Sequence, residues 1–277
     1  MKKMIGSTLC LIGLWLGLAV FFLLAEIWIF MAVPDSMMDS GWMRGAELSL
    51  NQIPAILAVW LMACKIDGRT MADIGVKKRR WWLWLPLGAV FACLFYTLYW
   101  ALSLRQGYLA APRTNAGWNG NLFFYLVGYF LVALGEEWMC RGYLQELVYR
   151  KMGRAASLLL PSALFMILHL GSYGQRYTAY ISAFGLGVLL AVMTWVTGSI
   201  WMSVGFHWLY NWMEGAFFGV EGEHFSVYAS AVNHAGQWDL LPAYLAFVCA
   251  VIGSGLFIWY GRKSASEQVR EKEEDGR

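Results

Sequence analysis

Long apolar runs, interrupted by short charged clusters, organise the whole chain. A helix needs about 20 apolar residues to cross the hydrocarbon of a bilayer. Eight segments meet or approach that requirement, at 5–33, 46–64, 82–104, 122–142, 156–172, 178–197, 200–219 and 240–260. The second is the most diluted, by Glu47, Asn51, Gln52 and Pro54. The sixth and seventh are separated only by Thr197, Gly198 and Ser199, which predicts a tight turn. The expected fold is therefore all-α: a polytopic membrane helical bundle of about eight transmembrane helices.

Composition supports this and excludes a soluble domain. Of 277 residues, 59% are hydrophobic and 14% are charged, whereas soluble domains carry about a quarter charged residues. Lys2 and Lys3 precede the run Met4–Val33. That run is about twice the length of a signal-peptide core and shows no small-x-small cleavage site, so a retained first helix is expected. With the N-terminus inside, the cytoplasmic segments hold Lys2, Lys3, Lys65, Arg69, Lys77, Lys78, Arg79, Arg80, Arg150, Lys151 and Arg154. The external segments hold only Arg44, Arg105, Arg113 and Arg176. This asymmetry obeys the positive-inside rule and places both termini in the cytoplasm of a multi-pass cell-membrane protein.

The expected organisation is one transmembrane domain over 1–261 and a charged tail over 262–277, disordered or a frayed helical end. The run Lys77–Arg80 reads as a topology anchor touching anionic lipid, and a nucleic-acid partner is not expected. Cys10, Cys64, Cys93 and Cys249 lie inside apolar runs, Cys140 lies in a Glu/Arg stretch, and none are spaced CxxC. They read as buried thiols rather than disulfides or a thiolate metal site.

Ionisable groups inside a bilayer are expensive, and each raises a functional question. The segments contain Glu26, Glu47, Glu136, Glu137, Arg141, His169, His207 and Glu214, with Asn211 as a polar companion. Glu137 and Arg141 are four apart, so they share a helix face and can pair. Glu136 is rotated about 100° from Glu137. The arginine can neutralise one carboxylate and leave the other facing a cavity, where an incompletely paired carboxylate can act as a general base. A salt-bridged patch at a helix end is the plainer alternative. His169 stands late in the fifth segment, where a hydrogen-bonded packing role is equally open. His207 and Asn211 are one turn apart on one face; they can donate to a developing oxyanion, bind a metal or link two helices. Glu214 lies two turns beyond His207 and either extends a cavity outward or pairs with Arg176. Glu26 has no evident partner, and His224 and His234 read as solvated loop residues.

Three helices thus offer a carboxylate, two imidazoles and an amide, a set able to activate water and stabilise a tetrahedral intermediate. These residues resemble the three motifs of the CPBP intramembrane proteases, also called the CAAX protease or Abi family. EExxxR matches Glu136, Glu137 and Arg141; FxxxH matches Phe165 and His169; HxxxN matches His207 and Asn211. The resemblance covers roughly residues 122–218. It implies Glu136 as water-activating base with His169 beside it, Glu137 and Arg141 as a structural pair, and His207 with Asn211 as the oxyanion site. Such enzymes have been read both as glutamate proteases and as metalloproteases. Glu136, His169 and His207 could satisfy zinc, which takes N and O ligands, yet the HExxH signature is missing.

The resemblance implies an intramembrane endopeptidase acting on peptides or membrane-protein substrates, in peptide processing or bacteriocin immunity. The alternative is a non-catalytic membrane regulator that binds a partner such as a sensor kinase. A proton-coupled transporter lacks the inverted repeat that fold requires. One geometric condition accompanies the enzyme reading. From a start near Ala156, His169 lies about 20 Å along its helix. Glu136 reaches that depth only if the fourth helix continues past Arg141, to about Tyr149.

Overall fold

A computed structural model of the chain describes residues 2–31, 33, 40–76, 80–115, 117–170, 174–220 and 226–275. The anchor residues Lys77–Arg79 and His224 lie outside the described residues. The chain forms an all-α bundle: α1 (Lys2–Met31), α2 (Gly41–Leu50), α3 (Ile53–Trp60), α4 (Trp81–Arg105), α5 (Asn121–Glu137), α6 (Gln145–Leu168), α7 (Tyr177–Thr197), α8 (Trp201–Trp212) and α9 (Ala235–Asp275). Six helical runs among the described residues are long and apolar enough to cross a membrane: Gly6–Leu24, Gly41–Ile66, Trp81–Arg105, Asn121–Leu168, Tyr177–Thr197 and Ala235–Trp259.

The spans divide differently from the apolar pattern. The predicted fourth and fifth segments belong to one helical run, Asn121–Leu168. Gly153 interrupts it at φ 80°, ψ −172°, a backbone region that is essentially open to glycine alone. The helix therefore continues past Arg141, as the depth argument requires. The predicted seventh segment is shorter. It is α8 plus one π-turn over Met213–Phe217, after which the backbone becomes extended at Phe218. The diluted second segment is broken at Asn51 and Gln52, and Pro54 sits in the first turn of α3, where its missing donor is harmless. Gly198 adopts the left-handed conformation and turns α7 into α8.

Three short strands were not foreseen: β1 (Arg113–Thr114), β2 (Phe218–Val220) and β3 (Tyr228–Ser230). They form a sheet of order β1-β3-β2, antiparallel between β1 and β3 and parallel between β2 and β3. Runs of two or three residues carry no readable period. At the other end of the chain, the backbone of α9 is helical through the charged tail as far as Asp275.

Small residues set the closest helix approaches. α4 packs on α8, and a Cβ placed on Gly88 would stand 2.9 Å from the backbone nitrogen of Phe206. α9 packs on α7, where a Cβ on Gly185 would stand 3.0 Å from Ala243 Cα. Such contacts let backbones approach where lipid supplies no hydrophobic drive for association. Two indoles tie α8 to α5: Trp208 donates to Leu126 O at 2.7 Å and Trp212 to Leu122 O at 3.2 Å. The apolar side chains of Leu16, Phe21, Leu94 and Val251 face outward, as a lipid-facing surface requires. Glu137 and Arg141, by contrast, are among the largest fully buried side chains.

Candidate active site

The three motifs converge on one end of α5. There the helix loosens into a π-turn over Trp138–Leu144, a local widening that commonly accompanies functional sites. Glu137 and Arg141 meet across this junction. Arg141 Nη1 donates to Glu137 Oε1 at 2.8 Å, and neither side chain has any exposure. The second terminal nitrogen of Arg141 donates to Gly187 O on α7 at 3.0 Å. The guanidinium lies 4.5 Å over the ring of Phe165. The arginine thus joins α5, α6 and α7 around one buried charge pair.

Each histidine is held through its Nδ1. His169 caps the C-terminus of α6, and its Nδ1 lies 2.8 Å from Phe165 O. A carbonyl only accepts, so Nδ1 carries the hydrogen and Nε2 of the neutral ring carries the lone pair. His207 Nδ1 lies 3.1 Å from Glu137 Oε1, and the carboxylate paired to Arg141 imposes the same tautomer. Both Nε2 atoms turn toward Glu136. His169 Nε2 is 3.9 Å, and His207 Nε2 3.8 Å, from Glu136 Oε2. Phe165 lies between the rings, 4.6 Å from that of His169 and 5.7 Å edge-on to that of His207.

The two adjacent glutamates have separate fates. Glu137 is sealed in, bonded to Arg141 and His207. The Glu136 side chain as a whole keeps 20% exposure, while its Oε2 is itself buried and has no hydrogen-bond partner among the described residues. Glu136, His169, His207 and Asn211 all line one cavity of about 420 Å³. Gaps of 3.8 and 3.9 Å are too long for direct hydrogen bonds. They are short enough for one oxygen, bonded at about 2.8 Å to each atom, to touch both. The arrangement presents three acceptors to such a water.

Glu214 is exposed and lines the outer part of the same cavity. Arg176 bonds Asp239, through Nε at 3.2 Å and a terminal nitrogen, and Glu214 acts on it as a weaker electrostatic neighbour. Asp239 also accepts from Thr178 Oγ1 at 2.9 Å. This carboxylate raises the pKa of Arg176 further above its ordinary value. The sequence pattern missed Asp239, which lies one residue before the last apolar segment and so did not count as intramembrane. His234 is exposed, as expected.

Glu136, His169 and His207 have the donor chemistry of a zinc site, but no three His, Cys, Asp or Glu side chains among the described residues are arranged to hold a metal ion.

No curated protein and no solved structure matches the chain. Residues 118–213 match the family profile described as type II CAAX prenyl endopeptidase Rce1-like. The matched stretch begins before Glu136 and ends after Asn211, so it holds all three motifs, and over those residues the chain is similar to the CPBP, or CAAX protease, family of intramembrane proteases.

Proposed function

We infer that the chain is an intramembrane endopeptidase in which Glu136 activates the attacking water. The observation that carries this reading is the position of Glu136 Oε2, unbonded and within 3.9 Å of both imidazole Nε2 atoms in one cavity. A water there donates one hydrogen to Glu136 and the other to His169 Nε2. Glu136 takes its proton as the water oxygen attacks the scissile carbonyl carbon. The carbonyl π electrons move to oxygen, and the resulting oxyanion needs donors. Asn211 supplies an amide N–H. His207 supplies an N–H from Nε2 only as imidazolium, and the carboxylate of Glu137 at its Nδ1 stabilises that cation. Glu136 then passes its proton to the leaving amine as the C–N bond breaks. An acid–base residue of this kind contributes about 10²–10⁴-fold, and an oxyanion donor about 10²–10³-fold.

The matched family name suggests a prenylated C-terminal peptide as the first substrate to try. Tyr99, Phe206, Tyr210 and Leu186 give the cavity an apolar lining suited to peptide or membrane-protein substrates. The test uses the full chain in liposomes with two probes, a farnesylated Cys-aliphatic-aliphatic-X peptide and an unmodified apolar peptide. Glu136→Gln, which keeps the shape and removes the base, is expected to abolish cleavage of whichever probe the wild type cuts. Full activity in Glu136→Gln would refute the assignment.

A further inference from the structure

A second cavity, of about 380 Å³, opens beside Arg141. Its walls are made where helices end or turn. Ala72, Asp73 and Gly75 come from the link between α3 and α4, Gly198 from the turn after α7, and Arg150 and Arg154 flank the interruption at Gly153. Helix ends in a membrane bundle mark the level of the lipid headgroups. Lys65, Arg69, Arg80, Arg150, Lys151 and Arg154 are all in segments of this end, the one that the positive-inside rule assigns to the cytoplasm.

The charges of the wall are held in different ways. Glu146 is taken by Arg150 at 2.8 Å, and Asp73 keeps its charge with its carboxylate bonded to Thr70 N at 2.8 Å and Oγ1 at 2.7 Å in a capping box. Arg141 is neutralised by Glu137. Arg154 has no carboxylate partner among the described residues. Its guanidinium lies over the rings of Trp195 at 4.4 Å and Tyr149 at 5.1 Å, and it donates to Tyr149 Oη at 3.2 Å. Such a platform fixes the guanidinium and leaves its other N–H groups to an anion.

Two buried polar atoms on wall residues also lack partners. Gln145 is 6% exposed; its Nε2 donates to Ala191 O at 2.9 Å, and its Oε1 accepts from nothing. Arg141, 2% exposed, has an unpartnered Nε. Buried polar groups are rarely left unpaired. A ligand that completes this wall brings an anionic acceptor for the arginines and a hydroxyl donor for Gln145. Arg154, the wall cation without a carboxylate partner among the described residues, favours an anion beside it, and a plain apolar chain would leave Gln145 Oε1 unpaired.

We propose that this cavity binds a phosphate ester carrying a hydroxyl group, as in the headgroup of phosphatidylglycerol, at the membrane surface and separate from the candidate active site. The site shares Arg141 with the pair that orients His207, so its occupant borders the catalytic apparatus without entering it.

The full chain in nanodiscs of mixed phosphatidylglycerol, phosphatidylmethanol and phosphatidylcholine, released for native mass spectrometry, tests the proposal. Phosphatidylglycerol is expected to be retained about tenfold over phosphatidylcholine, the scale of one charge-assisted contact. Arg154→Ala should erase that preference, while Lys151→Ala, a neighbouring cation outside the wall, should leave it. Phosphatidylmethanol has the charge without the hydroxyl; it should be retained less well, and Gln145→Met should remove the difference. Competition by soluble glycerol 1-phosphate, with no lipid retained, would assign the same chemistry to a free ester. Equal retention of the charged and neutral lipids, or equal weakening by Arg154→Ala and Lys151→Ala, overturns the site. None of these readouts depends on proteolysis.

Discussion

Replacing Arg141 by methionine separates the stabilising role of the buried pair from its chemical role. The wild-type guanidinium pairs with Glu137 at 2.8 Å, with no exposure on either side. Arg141→Met leaves the Glu137 carboxylate buried with only His207 and the neutral Ser203 hydroxyl beside it. Breaking a buried pair in this way costs about 3–5 kcal/mol. Replacing both members, Glu137→Met with Arg141→Met, removes the stranded charge and should recover stability to within about 2 kcal/mol of the wild type, because apolar replacements of buried pairs are often near neutral. Activity should not follow. In the double variant nothing carries negative charge at His207 Nδ1, so the tautomer and the imidazolium both lose their support. Losing the equivalent carboxylate of a histidine in a catalytic triad lowers turnover by about 10⁴. Denaturant unfolding in mixed micelles measures the first quantity, and cleavage of the probe peptide the second. A double variant that regains both stability and turnover would refute the claim that Glu137 orients His207; an Arg141→Met variant as stable as the wild type would refute the stranded-charge argument.

Two further outcomes follow from the same geometry. Phe165→Leu keeps an apolar side chain but loses the ring under the Arg141 guanidinium, a contact of about 1–2 kcal/mol when desolvated; unfolding should show that loss, and turnover should fall because nothing then spaces the two imidazoles. Gly153→Ala forces a side chain into a backbone region essentially reserved for glycine and should destabilise the chain by about 1–3 kcal/mol, seen in unfolding, whereas Ala155→Gly two residues on should cost about 1 kcal/mol or less.

The site was more legible than the path of the chain around it. Charged residues inside apolar runs are few because each is costly in lipid, so Glu136, Glu137, Arg141, His169 and His207 stood out individually. The i,i+4 spacing also indicated which glutamate Arg141 would hold, and the structure pairs it with Glu137. Segment boundaries were harder. Apolar length cannot distinguish two spans from one helical run interrupted at Gly153, since a single glycine conformation makes the difference. Likewise the end of α8 at Trp212 depends on packing around Phe217 and Phe218, which stack on Trp212 and Trp100, contacts that no periodicity announces. Asp239 was missed for a related reason: its importance lies in Arg176, Thr178 and Ser182, which reach it from sequence positions about sixty residues away.

Why the motif uses two adjacent carboxylates follows from the solvent. In water a single glutamate could be both oriented and basic, with solvent filling its unmet hydrogen bonds. In a bilayer an unpaired charge is costly, so an orienting carboxylate needs a cation beside it. A carboxylate held by a cation is a poor base. The chain resolves this conflict by division between neighbours about 100° apart on the helix. Glu137 receives Arg141 and His207 and supplies order. Glu136 receives neither and faces two imidazoles whose tautomers are fixed from behind. Exchanging the two residues' functions would require Arg141 to reach round the helix. The order of the motif is thus a consequence of helix geometry acting where water is scarce.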